Sequence, residues 1–135
     1  MKLSAAMQKL IKSVRFDDSG LVPAIVQDDQ DGTILMFAFM NKESLRMTLE
    51  MKKVVFWSRS RKKLWLKGES SGNVQMLKKI YVDCDQDCLL VKVKQLGNAA
   101  CHTGMRSCFY REIRPSGALS VIGKRIFDPK KVYAA

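Results

Sequence analysis

The chain has 135 residues, and its 24 Lys and Arg against 13 Asp and Glu give a formal net charge of +11 at pH 7. This length suits one domain with a single core. The 47% of hydrophobic residues exclude a disordered chain, and no apolar run reaches the roughly 18–20 residues of a membrane span. The positive charge favours a polyanionic partner, either nucleic acid or a small phosphorylated molecule.

The chain shows no signal-peptide pattern, so we expect a cytoplasmic protein. In that reducing compartment the four cysteines are expected to be thiols or metal ligands. An even number of cysteines also permits two disulfides. A disulfide-stabilised basic protein is therefore an alternative.

The elements in chain order predict an α+β fold with a mainly antiparallel sheet. Residues 4–13 predict a short amphipathic helix, and Asn41 predicts the N-cap of a helix over residues 42–51. The apolar side of the first helix is expected to comprise Ala6, Leu10 and Ile11. The segments with strand character are 21–27, 33–40, 54–58, 64–67, 74–83, 89–95 and 107–113. We expect one domain over residues 1–135, with the structure of the tail after about Pro115 left open.

Three acidic residues occupy alternate positions after the fifth predicted strand. In an extended segment Asp83, Asp85 and Asp87 would share one face, with Cys84 and Cys88 on the other. Three converging carboxylates repel one another unless a cation neutralises them, and oxygen ligands suit Mg²⁺ or Ca²⁺. A solvated acidic turn without a metal is the alternative.

The four cysteines lack the paired C-x-x-C spacing of zinc fingers and ribbons. Cys84 and Cys88 enclose three residues, and Cys101 and Cys108 enclose six. Three thiolates with an open position would make a hydrolytic zinc site, whereas four would make a closed structural one. Buried apolar cysteines without a metal are also common. His102 directly follows Cys101, and a free imidazole there could transfer protons near neutral pH.

The segment 56–73, FWSRSRKKLWLKGESSGN, combines tryptophans, cations and small residues. Arginine binds phosphate oxygens in a bidentate manner, and small residues let backbone N–H groups approach an anion. Grooves for single-stranded nucleic acid use the same residue types, so the segment predicts phosphate binding without distinguishing polymer from monomer. Its cations are Arg59, Arg61, Lys62, Lys63 and Lys67, and its small residues include Gly68, Ser70, Ser71 and Gly72.

Two motifs, WSRSRKKLWLKGESSGN and DCDQDCLL…ACHTGMRSCFYR, together resemble the phosphoribosyl-AMP cyclohydrolase family. The resemblance spans about residues 32–111 and corresponds to the monofunctional form. It implies hydrolytic opening of the adenine ring of N1-(5-phosphoribosyl)-AMP between N1 and C6, the third step of histidine biosynthesis. It also implies an intertwined homodimer that requires Zn²⁺ and Mg²⁺, with a phosphorylated nucleotide as substrate and with neither nucleic acid nor a membrane as partner.

The resemblance also assigns roles to individual residues. It implies zinc held by Cys84 of one subunit with Cys101 and Cys108 of the other, while Cys88 has no ligand role. His102 is the expected catalytic proton carrier. The implied magnesium ligands are Asp83, Asp85 and Asp87. The expected substrate-binding residues are Trp57, Arg59, Ser60, Arg61, Lys62, Lys67, Gly68, Ser70, Ser71 and Gly72. A small zinc-stabilised nucleic-acid-binding module is the competing hypothesis.

Overall fold

The computed structural model describes residues 3–132, which contain three α-helices, a 3-10 turn and eight strands. The helices are α1 (Ala5–Ser13), α2 (Lys42–Met51) and α3 (Pro129–Val132), and the 3-10 turn is Leu96–Asn98. The strands are β1 (Val22–Asp28), β2 (Ile34–Met40), β3 (Val55–Ser58), β4 (Lys63–Leu66), β5 (Gln75–Val82), β6 (Leu89–Gln95), β7 (Arg111–Ile113) and β8 (Leu119–Val121).

Six strands form one sheet in the order β4-β3-β2-β1-β6-β5, and β7 and β8 form a separate hairpin. Every neighbouring pair is antiparallel except β1 and β6, which run parallel. The predicted α+β fold with a mainly antiparallel sheet is confirmed. No helix among the described residues is long and apolar enough to cross a membrane.

The six-stranded sheet curls so that its two ends approach each other. The N–H of Val54, just before β3, donates to the carbonyl of Gln75 in β5 (3.0 Å). The N–H of Leu77 donates to the carbonyl of Lys52 (2.9 Å). Because β3 and β5 lie near opposite ends of the strand order, these bonds join the two ends and curve the sheet around the hydrophobic core.

The core follows from the alternation of side chains along the central strands. Buried and half-buried residues alternate along β1, and the buried set includes Val22 and Val26. The same alternation in β6 buries Val91 and Val93. Since alternate side chains of a strand share one face, both strands present an apolar face to one hydrophobic cluster.

Helix α2 begins at the residue predicted from its cap. The Ser44 N–H donates to Asn41 Oδ1 (2.8 Å), and the Asn41 N–H donates to Ser44 Oγ (2.9 Å). This reciprocal capping box satisfies two backbone donors, and one such cap contributes about 1 kcal/mol.

Helix α1 is also confirmed, but its predicted apolar side is partly wrong. Ile11 is buried, whereas Ala6 and Leu10 are exposed. The helix contacts the core only near its C-terminal end, where Val14 is buried as well.

The seventh predicted strand is wrong over most of its length. The prediction covered residues 107–113, and only Arg111–Ile113 form a strand. Ser107 and Cys108 bond instead to the start of β2, through Ser107 Oγ to the carbonyl of Ile34 (2.6 Å) and the Cys108 N–H to that of Leu35 (2.7 Å). These bonds leave the segment in a loop.

Candidate active site

Residues 99–108, which we call the cysteine loop, fold back on themselves. The N–H of Cys101 donates to the carbonyl of Met105 (3.1 Å), and the N–H of Gly104 donates to the carbonyl of Cys101 (2.9 Å). These bonds make a tight turn over residues 101–104. His102 lies at its exposed tip.

Arg106 attaches the cysteine loop to the turn between β1 and β2. Its guanidinium lies 2.8 Å from Asp31 Oδ2 and 3.7 Å from Asp28 Oδ1. Hydrogen bonds from Thr33, with the Arg106 cation adding to them, lower the pKa of Asp31 from 3.8 to about 2. The carboxylate is therefore ionised at neutral pH and holds Arg106 in place.

The thiols of Cys101 and Cys108 are neighbours at the base of the cysteine loop. Cys101 is buried, and its sulfur accepts a hydrogen bond from Thr103 Oγ1 (2.9 Å). The Cys108 residue is exposed, but its thiol is partly desolvated by the surrounding protein. That desolvation, followed by the charge and hydrogen bond of Cys101, raises the pKa of Cys108 to about 12. Two adjacent sulfurs, one of which has a raised pKa, fit a site in which a metal cation favours the thiolates.

Lys67 places a buried cation beside this pair of sulfurs. Its Nζ donates to the carbonyl oxygen of Ala100 and lies 5.2 Å from the ring centre of Trp65. Burial lowers the pKa of Lys67, whereas the charges of Cys108 and Cys101 raise it. The lysine side chain is therefore directed at the sulfurs instead of at solvent.

A cavity of about 350 Å³, which we call the site cavity, opens beside Cys108 and His102. It combines cations, hydroxyls and an indole, which are groups that can hold a phosphorylated aromatic ligand. Of the residues predicted to bind substrate, the cavity contains Arg61, Lys67, Gly68, Ser70 and Ser71. Its remaining lining residues are Met36, Ser58, Lys63, Trp65, Glu69 and Ala100.

A second concavity, of about 480 Å³, lies on the neighbouring surface of β2 and β3. Three residues predicted to bind substrate, Trp57, Arg59 and Ser60, line it. The guanidinium of Arg59 lies 4.1 Å from the ring centre of Phe39, so a cation–π contact with this strand occupies it. Lys62 and Gly72 line neither concavity.

The three predicted carboxylates do converge, although the segment is not extended. Residues 83–88 form a turn in which Asp83 Oδ1 accepts from the N–H groups of Asp87 (3.0 Å) and Cys88 (3.2 Å). One oxygen from each of Asp83, Asp85 and Asp87 lies within 4.8 Å of the others. The predicted strand alternation is therefore wrong, because the Asp83 carboxylate caps a turn.

The electrostatics of this acidic turn favour a cation. A hydrogen bond with Asp83 raises the pKa of Asp87, and burial and the charges of Asp83 and Asp85 raise it further. A bound divalent cation would remove that repulsion, and all-oxygen ligands suit a hard ion. The acidic turn can therefore hold a metal.

Cys84 lies exposed in the acidic turn, and its sulfur does not converge with the two sulfurs of the cysteine loop. Among residues 3–132 the three aspartates are the only group of three or more potential ligands that converge. Within the described residues of a single chain, the thiols of Cys101 and Cys108 are neighbours, and neither Cys84 nor Cys88 joins them. A closed four-thiolate site does not form within it.

Comparison with the sequences of known proteins assigns the chain to a family. The sequence model of the family described as phosphoribosyl-AMP cyclohydrolase matches residues 36–110. The chain belongs to this family. The match covers the acidic turn, the cysteine loop and the lining of the site cavity.

Relatives extend the similarity over most of the chain. A phosphoribosyl-AMP cyclohydrolase of Chlorobium phaeovibrioides is 54% identical over 126 residues, which cover 93% of this chain and 91% of the relative. Proteins of the same name from Chlorobaculum parvum and Chlorobaculum tepidum are 56% and 55% identical over the same shares. The resemblance inferred from the two motifs is confirmed.

The list of expected substrate-binding residues omitted six residues that line the site cavity, although Lys63 had been named among the cations of segment 56–73. A signal for two of them was present, since Lys63 and Trp65 alternate along β4, and Lys67, just after it, continues the alternation. Met36 and Ala100 come from distant segments, and no local pattern identifies them. The other two missed residues are Ser58 and Glu69.

Proposed function

We propose that this protein is a phosphoribosyl-AMP cyclohydrolase that opens the adenine ring of N1-(5-phosphoribosyl)-AMP between N1 and C6. The product is the phosphoribosylformimino-aminoimidazole carboxamide ribotide. The reaction is the third step of histidine biosynthesis. The observation that carries the proposal is the site cavity, where His102 and Cys108 share one space with Lys67, Arg61 and the small residues of the loop after β4. Family membership supports it.

The substrate has two phosphate groups, and the site cavity offers cations and hydroxyls for them. Arg61 and Lys63 are exposed at its lining, and Ser70 and Ser71 add hydroxyl donors. Gly68 has φ +89°, and a Cβ there would lie 2.4 Å from the backbone nitrogen of Val74. The loop thus needs glycine to fold closely enough for its backbone N–H groups to approach an anion.

Zinc is the metal that suits the paired sulfurs. Cys101 and Cys108 would supply two thiolates, and Cys84 from a second copy of the chain would supply the third. Bound in this way, zinc supplies an acidified water as nucleophile for C6, the carbon that zinc deaminases of adenine also attack. Lys67 is the buried cation that offsets the negative charge of the thiolates.

His102 carries the proton transfers that ring opening requires. Water must lose a proton as it attacks C6, and N1 must gain one as the C6–N1 bond breaks. The imidazole lines the site cavity at the tip of its turn. Because an imidazole can accept a proton on one nitrogen and donate one in turn, a single side chain can perform both transfers.

Magnesium is the cation that we assign to the acidic turn. Asp83, Asp85 and Asp87 would hold it, and it would contact a phosphate or ribose oxygen of the substrate. Because Cys84 lies in the same turn, one segment would contribute to both metal sites.

We also propose that the active form is an intertwined homodimer, because the sulfur of Cys84 does not converge with those of the other two cysteines within the described chain. Apolar side chains on the β7–β8 hairpin support association. Ile113, Leu119 and Val121 are 74%, 59% and 64% exposed. Such surface is typical of an interaction site. The expected cytoplasmic location stays a prediction.

A direct assay tests the proposed function. The purified full chain, loaded with Zn²⁺ and Mg²⁺, should convert N1-(5-phosphoribosyl)-AMP with loss of the purine ultraviolet absorbance, and a chelator should stop the reaction. His102→Ala should retain zinc and lose about 10²–10⁴-fold in kcat. A metal-loaded protein without turnover, together with strongly salt-dependent binding of a generic oligonucleotide, would instead support the nucleic-acid-binding hypothesis.

A further inference from the structure

The segment after the β7–β8 hairpin lies against the outside of the cysteine loop. We call residues 123–128 the tail strand for brevity, although the segment is irregular and only Arg125 in it forms a β-bridge. The N–H of Ile126 donates to the carbonyl oxygen of Gly104 (2.6 Å), and Met105 and Arg125 form an antiparallel bridge. The cysteine loop therefore has backbone bonds on two sides, one set within itself and one to the tail strand.

Gly104 shows how closely the tail strand packs on the loop. Its φ is +92°, and a Cβ built there would lie 2.0 Å from the carbonyl oxygen of Phe127. Only glycine fits both this backbone conformation and this approach. The N–H of the same glycine closes the 101–104 turn on Cys101, so the contact acts on the turn that has His102 at its tip.

The backbone of this turn determines where His102 lies. The imidazole is exposed, and no hydrogen bond to another residue within 3–132 orients it. None of residues 123–128 lines the site cavity. The tail strand therefore contacts the turn without entering the site cavity.

We propose that the tail strand is a positioning element of the active site, which fixes the 101–104 turn and thereby holds His102 at the site cavity. This inference rests on the proposed function. It gives a role to a segment beyond residue 110, where the family match ends.

A pair of substitutions at one position tests it in the metal-loaded full chain. Ile126→Pro removes the N–H that bonds to Gly104, and Ile126→Ala keeps that N–H while shortening a half-exposed side chain. We expect amide hydrogen exchange in the cysteine loop to rise about fivefold or more in the proline variant only. We expect kcat to fall about tenfold or more, because small misplacement of a catalytic group is costly, with KM within about twofold.

A double substitution separates positioning from general damage. In a His102→Ala background, and at equal zinc content because Cys101 lies in the same turn, Ile126→Pro should cost no further kcat, because the tail strand acts through His102. An additive loss would overturn the inference, as would wild-type kcat and exchange in Ile126→Pro. If the proline variant fails to fold, a chain ending at Gly123 repeats the test, since none of the described residues from 101 to 132 belongs to the core cluster.

The exchange readout also separates this inference from the proposed function. If exchange rises in Ile126→Pro but the wild-type protein has no cyclohydrolase activity, the tail strand fixes the turn and the proposed function is wrong. If exchange rises and kcat is unchanged in an active enzyme, the positioning role is wrong.

Discussion

The Nζ atom of Lys67 lies 2.5 Å from the carbonyl oxygen of Ala100, 33 positions along the chain. Lys67 is only 5% exposed, and no carboxylate within residues 3–132 forms an ion pair with it. Since Ala100 directly precedes Cys101, the bond ties the lysine to the cysteine loop. A buried charge without a carboxylate partner is costly unless another negative group compensates it.

We therefore predict that Lys67→Met weakens zinc binding by about tenfold or more, the typical effect of losing a group that supports metal ligands. Competition with a coloured chelator measures the affinity. Lys63→Met is the matched control, because Lys63 lines the same cavity but is exposed. Equal zinc affinities for the two variants would show that Lys67 does not compensate the thiolates.

Arg61 and Arg59 should differ as ligands of substrate phosphate. Arg61 lines the site cavity, whereas Arg59 lies over the ring of Phe39 in the second concavity. We expect Arg61→Ala to raise KM about tenfold with a smaller change in kcat, and Arg59→Ala to have a weaker effect on KM. Steady-state kinetics of the two variants decides this. A larger rise in KM for Arg59→Ala would place the phosphate in the second concavity.

Cys101→Ala should abolish zinc binding and turnover together, because it removes one of two adjacent sulfurs. Cys88→Ser is the control, since Cys88 lies in the acidic turn and no ligand role is expected for it. Metal analysis alongside the activity assay tests both variants. Loss of zinc in Cys88→Ser would support the alternative of a closed structural site with four thiolate ligands.

The Asp31 carboxylate gives a prediction for acid stability. Its pKa is lowered from 3.8 to about 2 in the folded protein. The contribution of this carboxylate to the free energy of unfolding is therefore fully present above pH 3.8 and is lost as the pH falls through about 2. Asp31→Asn should flatten this part of the stability curve, measured by urea unfolding at several acidic pH values. An unchanged slope would show that the Asp31 carboxylate, with its bonds to Thr33 and Arg106, contributes nothing to this pH dependence of stability.

Local patterns predicted the first half of the fold well. The start of helix α2 at Lys42 was predictable because its cap, Asn41, directly precedes it in the sequence. The hairpins β1–β2 and β3–β4 were predictable from the alternation of their side chains and from their short turns. The parallel pairing of β1 with β6 and the curling of the sheet join distant segments. No short pattern encodes such contacts.

The sequence predicted which residues belong to the candidate site better than it predicted how those residues are arranged. Asp83, Asp85 and Asp87 converge as expected, but through a turn that a side chain caps instead of a strand. Lys67 was expected to bind substrate because it lies in a basic segment, whereas its burial beside Cys101 depends on the cysteine loop folding back onto β4. The tail strand carries no chemical motif, so its contact with Gly104 is visible only in three dimensions.

Complementation between two inactive variants tests most directly whether the metal site spans two copies of the chain. Cys84→Ala and Cys101→Ala should each be inactive alone. When the two chains are co-expressed, about a quarter of wild-type activity and zinc content should return, because half of the dimers are mixed and each has one intact site. If the co-expressed variants stay without zinc and without activity although mixed dimers form, the shared site is contradicted.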